Sequence, residues 1–214
     1  MAEGLRLEDV RISLGPRLLL ALDAAVAPGE VLTVMGPSGS GKSTLLAAIT
    51  GTLAPGFTLE GRILLDGRDI TALPPEARRT GILFQDELLF PHLSVGGNLA
   101  FGLSPQIRGR AARRARIDAA LEEIGLAGFA ARDPATLSGG QKARVALMRM
   151  LLAEPRALLL DEPFSRLDTA LRGQIRALVF GRAKAQGLPV LLVTHDQADA
   201  DAAGGEVVRL GEEG

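Results

Sequence analysis

With 214 residues, 47% of them hydrophobic, the chain can bury a sizeable core as one domain or as a domain with a smaller lobe. A formal net charge of −1 gives no global field that would recruit nucleic acid or anionic lipid. The absence of cysteine excludes disulfides, thiolate zinc sites and thiol catalysis, and the longest apolar runs are strand-sized rather than membrane-spanning. The opening residues, MAEGLR, have neither a basic leader nor an apolar stretch, so no secretory signal and a cytoplasmic location are expected.

Strand-like runs occur at 5–12, 31–35, 63–65, 81–84, 157–160, 189–193 and 207–210. Helical stretches lie between many of them, which predicts an α/β domain with a largely parallel sheet. The early strands, before residue 31 and around residue 63, lack intervening helices and predict an antiparallel edge. Segments 94–103 and 110–124 have helical composition with no strand between them, and read as a helical lobe inserted between Gln85 and the next core strand. Arg108, Arg110, Arg113, Arg114 and Arg116 form a basic run best explained as a solvated helix face, with contact to lipid headgroups or a partner as the alternative.

Between the run 31–35 and the helical stretch 44–49 stands Gly36-Pro37-Ser38-Gly39-Ser40-Gly41-Lys42-Ser43-Thr44, which fits the phosphate-loop pattern G-x-x-x-x-G-K-[ST]. Glycines let successive backbone N–H groups point at one phosphate chain, Lys42 supplies a mobile charge, and the Ser43 hydroxyl can join a magnesium shell. A strand before the loop and a helix after it give the motif its required setting.

Residues 157–162 form a buried strand ending in two acids, Asp161 and Glu162, and broken by Pro163. Ligands of open α/β sheets sit beyond the carboxyl ends of strands, so both acids face the phosphate-loop crevice. Asp161 is placed to hold magnesium directly or through water, and Glu162 to orient and deprotonate an attacking water. Leu137-Ser138-Gly139-Gly140-Gln141 precedes a strong helix. Ser138 and Gln141 fit a capping box, which fully explains those two residues. Two glycines in a first helical turn weaken it, and bare N–H groups facing an anion would justify them, so cap and phosphate sensor are compatible readings. His195 and Gln85 each follow a strand at its carboxyl end, and each is a weak signal alone.

The ordered set of phosphate loop, LSGGQ, LLLDEP, the segment Ser165 to Asp168 and His195 in VTHD resembles the ATP-binding cassette (ABC) ATPases over nearly the whole chain. The resemblance implies a P-loop NTPase, RecA-like α/β core with an antiparallel β edge and an inserted helical subdomain: a single cassette over 1–214, with core segments 1–88 and 141–214 and a helical subdomain at 89–140. It implies ATP and Mg2+ as ligands, with Ser43, Gln85 and Asp161 at the metal. Gln85 resembles the glutamine that meets magnesium and the attacking water. Ser138, Gly139, Gly140 and Gln141 look like the signature that closes on the γ-phosphate held by a second cassette. His195 looks like the switch histidine, and Arg166 stands where alanine is usual in the segment after Glu162.

Residues 73–103 are similar to cassettes that energise bacterial importers of maltose, polyamines, thiamine or ferric ion. The implied partners are a second copy on ATP binding, two integral-membrane permease subunits and, indirectly, a solute-binding protein, with the cassette peripheral on the inner face of the membrane and no nucleic acid bound. The helical lobe and Gln85 segment would form the docking groove. A regulatory C-terminal domain of the sugar-importer kind is not expected. A soluble cassette ATPase acting on DNA or ribosomes usually carries a coiled-coil insertion or two cassettes, and a small-molecule kinase leaves LSGGQ unexplained.

One departure bears on base recognition. Such cassettes usually carry an early aromatic residue that stacks on adenine, whereas Leu14 stands near that place and no Tyr, Trp or earlier Phe precedes Phe57. Loss of a stack worth about 1–3 kcal/mol predicts modest ATP affinity and GTP hydrolysis within about tenfold of ATP. Steady-state rates with the two nucleotides check this expectation, and strong selectivity for ATP contradicts it.

Overall fold

The structure is a computed structural model that describes residues 3–86, 88–165 and 167–211. Chain order runs β1 (Leu5–Leu14), β2 (Arg17–Val26), β3 (Val31–Met35), α1 (Lys42–Thr50), β4 (Phe57–Leu65), β5 (Arg68–Asp69), α2 (Pro75–Arg78) and β6 (Thr80–Leu83). Then follow α3 (Val95–Gly102), α4 (Arg110–Glu123), α5 (Gly139–Leu152), β7 (Ala157–Asp161), α6 (Thr169–Gln186), β8 (Val190–Val193), α7 (Gln197–Ala203) and β9 (Glu206–Arg209).

Five strands form a parallel sheet in the order β6-β7-β8-β3-β9. Its central strands are buried along nearly their whole length and apolar apart from Thr33 and the terminal Asp161, because both faces are covered, and period-two alternation assigns each residue to one face. Leu32, Val34, Ala157, Leu159, Leu191 and Val193 pack with α1 and the antiparallel strands. Their neighbours Val31, Leu158, Leu160, Val190 and Leu192 pack with α5 and α6 around Phe164. The antiparallel strands make a sheet of their own, β2-β1-β4-β5, stacked on the core rather than hydrogen-bonded to the edge of the parallel sheet.

Helices α3 and α4 form the inserted lobe, and α5 joins it to the sheet by using two stripes. Val145, Met148 and Leu152 face Leu99, Leu121 and Leu126 of the lobe, while Ala146, Leu147, Met150 and Leu151 face the core. Spacing of three and four residues puts each set on one side of the helix. Of the basic run, Arg108 before α4 and Arg110 and Arg114 on it are exposed, and Arg113 and Arg116 partly so; Arg114 pairs with Asp118 at 3.6 Å, and Arg113 caps the Ala100 carbonyl at 2.8 Å. Among the described residues no helix is long and apolar enough to cross a membrane.

Helix α3 lies against α5 so closely that a Cβ at Gly102 would come 2.1 Å from the Arg149 carbonyl oxygen. Gly102→Ala must therefore spread the lobe from α5, with an expected cost of about 1–3 kcal/mol, the usual range for overpacking. Urea unfolding checks this; an unchanged midpoint would show that the two helices separate without penalty.

Candidate nucleotide-binding site

Three adjacent strands of the parallel sheet, β3, β8 and β7, end side by side. The ladder continues past their formal ends: the Glu162 N–H donates to the Val193 carbonyl at 2.9 Å, and the Thr194 N–H to the Val34 carbonyl at 3.3 Å. The segments carrying Gly36, His195 and Glu162 are thereby set next to one another.

The loop after β3 turns through Gly39 and Gly41, with φ of 84° and 88°, a region costly for any side chain. Lys42 is buried, and its ammonium donates to the carbonyls of Gly36 and Pro37, both at 2.7 Å. Helix α1 begins at Lys42, so its unpaired N–H groups open onto the loop, where an anion gains about 0.3–1 kcal/mol or more. The Ser40 hydroxyl is buried in the loop with no hydrogen-bond partner. A cavity of about 340 Å³ joins Ser38, Gly39, Gly41, Lys42, Ser43 and Thr44 to Gln85, Asp161 and Glu162, with Leu19 and Phe57 as its large apolar lining residues.

Asp161 is half-buried, and that desolvation raises its carboxyl above the ordinary value of 3.8. Nearby Glu162 acts in the same direction, whereas a hydrogen bond from Ser43 and the charge of Lys42 oppose it. Glu162 holds φ at 46°, the left-handed region that non-glycine residues seldom enter. The turn is fixed from both sides: its N–H is in the sheet ladder, and its carbonyl accepts from the Ser165 hydroxyl at 2.9 Å and the Ser165 N–H at 3.2 Å. Strain held in place by surrounding bonds marks a side chain whose aim matters. The Glu162 carboxylate lies 3.1 Å from His195 Nδ1 and is largely covered, while the imidazole is 63% exposed.

The strand-end loop bearing His195 is tied down by α6. Arg172 bonds Asp196 at 2.8 Å, and Arg176 pairs with buried Asp199, which accepts from the Thr194 hydroxyl at 3.1 Å. Asp168 caps α6 through the Leu171 N–H at 3.0 Å. Arg166 lies outside the described residues.

Ser138–Gln141 stand away from this cavity, at the start of α5. The capping box is present in both directions, Gln141 N–H to Ser138 Oγ at 3.3 Å and Ser138 N–H to Gln141 Oε1 at 3.0 Å. The two glycines separate in role. A Cβ at Gly140 would meet Leu171 Cδ2 at 1.8 Å, so packing of α5 on α6 explains that glycine, whereas Gly139 has nothing within 4 Å and no steric reason to be glycine.

Two wall residues of the cavity escaped the sequence reading. Leu14 is 47% exposed at the end of β1 and is not among the residues lining the cavity; Leu19 and Phe57 are. The register that pairs Leu14 with Phe57 is the signal that would have found the latter, and it depends on a strand pairing not visible in either segment alone.

Residues 19–165 match the family model described as ABC transporter. The chain is 52% identical over 186 residues to the uncharacterized ABC transporter ATP-binding protein YnjD of Escherichia coli K12, covering 87% of this chain and 85% of that one. It is also 52% identical over 181 residues to the thiamine import ATP-binding protein ThiQ of Cereibacter sphaeroides, covering 85% and 77%. The solved structure of cbiO1 from Clostridium perfringens, part of the ABC transporter complex cbiONQ, superposes with a TM-score of 0.84 at 30% identity over 98% of this chain and 85% of that one. The chain belongs to the ABC transporter family. It is an ATP-hydrolysing subunit of the importer type, built on a P-loop NTPase fold with one antiparallel and one parallel sheet.

Among the described residues, Lys42 is the only side-chain cation lining this cavity. Lys42→Ala is expected to lower ATP hydrolysis by at least about 10²–10³-fold, the scale of losing one preorganised charge at a reacting group. Phosphate release from the purified variant is the check, and retention of most of the rate would remove Lys42 from the site.

Proposed function

We propose that two copies of this chain close on two ATP molecules and that this closure energises a membrane importer. The observation carrying the reading is the strained Glu162, which lines the phosphate-loop cavity and whose carboxylate meets His195. Glu162 is the general base: it accepts a proton from a water attacking the outer phosphate. His195 orients the Glu162 carboxylate and reaches toward the same phosphate, and its exposure leaves it free to do so. Lys42 exchanges its two carbonyl partners for phosphate oxygens, and the loop N–H groups and the Ser38, Ser40 and Thr44 segment hold the rest of the chain of phosphates.

The residues fit a hard divalent cation. Ser43 and Asp161 line the same cavity with the Ser43 hydroxyl acting on the Asp161 carboxyl, Gln85 adds an amide oxygen there, and burial of Asp161 favours a positive charge beside it. No cluster of three or more His, Cys, Asp or Glu residues that could hold a metal occurs among the described residues, so most ligands must come from phosphate and water, the habit of Mg2+. When bound, Mg2+ neutralises charge on the outer phosphates.

Each copy has one phosphate loop and one Ser138–Gln141 turn. Gly139, bare and open at a helix N-terminus, fits the approach of a phosphate from the opposite copy. The permease docks on a second cavity, of about 770 Å³, between β6 and the helical lobe, where Phe84, Leu88 and Phe101 are 44%, 56% and 70% exposed. Gln85 lines the nucleotide cavity while its neighbours Phe84 and Asp86 line the docking groove, so one short segment links the two. The assembly is peripheral on the inner face of the membrane, and a solute-binding protein delivers cargo to the permease.

Glu162→Gln keeps the hydrogen-bonding shape but cannot accept the proton, so turnover is expected to fall by about 10²–10⁴-fold while Mg-ATP still binds. The variant should sediment as a dimer with ATP and as a monomer with ADP. A species that stays monomeric at saturating ATP contradicts closure of two copies.

A further inference from the structure

We infer that the nucleobase is held on an apolar platform built from Phe57 and Leu19, supplied by β4 and β2, and that Leu14 contributes only at its edge. The inference rests on the nucleotide reading above, and concerns where the far end of the bound molecule goes.

The cavity wall is made of two chemically different sets of residues. One is the phosphate loop with Gln85, Asp161 and Glu162; the other is Leu19 and Phe57, carried by the two strands that flank β1. A nucleoside triphosphate has the same division, with an anionic chain at one end and a flat, weakly polar ring at the other. With phosphates on the loop, the ring must leave either over the acidic side or over the apolar side, and only the latter avoids desolvating carboxylates against a base.

The strand geometry explains how the apolar side is made. The β1–β2 ladder slips between Ile12 and Ser13: Ile12 faces Leu20 and Ser13 faces Leu18, so Leu19 is an extra residue in β2. Such a bulge re-aims a side chain out of the regular alternation. The bulged strand lies directly against the loop, since a Cβ at Gly41 would stand 3.6 Å from Leu20 Cβ and 3.7 Å from the Leu19 carbonyl oxygen. On the other flank Phe57 opens β4 opposite Leu14, and it packs on the core cluster while remaining partly exposed. Core contact on one side holds the ring still, and exposure on the other leaves a surface for a ligand.

The chain contains seven Phe and no Tyr or Trp, and among the described residues Phe57 is the only aromatic one lining this cavity. Phe84, Phe90 and Phe101 line the docking groove, and Phe164 and Phe180 meet edge to face in and against the core. Stacking on a phenyl ring reads the π-face of a base rather than its edge groups, so adenine and guanine should be accepted comparably.

The test compares Phe57→Leu with wild type by calorimetry, using Mg-ATP and, separately, inorganic tripolyphosphate with Mg2+. Leucine keeps the apolar packing and removes the ring. The expected result is ATP binding weakened by about 5- to 150-fold, with tripolyphosphate affinity and melting temperature nearly unchanged. ATP affinity equal to wild type overturns the platform. Equal weakening of ATP and tripolyphosphate also overturns it, because Phe57 would then support the loop instead of the base. Lys42→Ala, measured beside it, isolates the underlying reading: if that variant binds both ligands as wild type does, the phosphate site itself has been misassigned.

Discussion

The parallel pairing of β3, β8 and β7 is the constraint on which the rest of this molecule depends. Register in a sheet fixes which residue stands beside which, and Asp161 is opposite Val193 while Val34 is opposite Val193 from the other side. One or two residues beyond those partners the three chains become the phosphate loop, Glu162 and the His195 loop. A slip of one residue would exchange the two faces of each strand and turn the acids away. The slip is opposed by the core itself, because alternate residues of each strand are buried in different clusters.

The remaining elements transmit or protect that arrangement. Helix α6 holds the His195 loop through Arg172 and Arg176, and its own start is set by the Asp168 cap. Removing Asp199 would leave the poorly exposed Arg176 without its partner, which is costlier than never having had the pair. Helix α5 carries the Ser138–Gln141 turn at one end and the lobe on one stripe, so motion of the lobe moves that turn. The groove between β6 and the lobe lies where a partner could drive such motion, and buried Asn98 rigidifies its rim by bonding both backbone groups of Phe90.

Much of this was legible in the residues. The phosphate loop, the acids after 157–160 and the capping box are short-range patterns, in which every residue needed for the inference lies within a few positions. What escaped was long-range. Strand β2 reads as RLLLALDAAV, which suits a helix as well as a strand, and only pairing with β1 decides it. Helix α6 has Gly173 and Gly181 in its interior, which blunts its signal. The antiparallel strands make a separate sheet because they cover the core face left by α1, a packing demand that local pattern does not contain. Phe57 and Leu19 are far from the loop in sequence, and a bulge with a cross-strand pair brings them to it. The glycines of LSGGQ also needed the structure: it gives Gly140 a packing reason and leaves Gly139 without one.

The central claim is that one active site is shared by two copies, the phosphate loop from one and the turn at Gly139 from the other. Mixing two inactive variants tests it directly. Gly139→Asp is sterically free and suits a helix first turn, but sets a carboxylate where phosphate should approach. A heterodimer of Lys42→Ala with Gly139→Asp contains one site with an intact loop and an intact turn. The account predicts that the mixture regains ATPase activity in proportion to heterodimer formed, while the double variant mixed with wild type gives heterodimers with none. No recovery in the first mixture, with the heterodimer demonstrated to form, would contradict a site built from two chains.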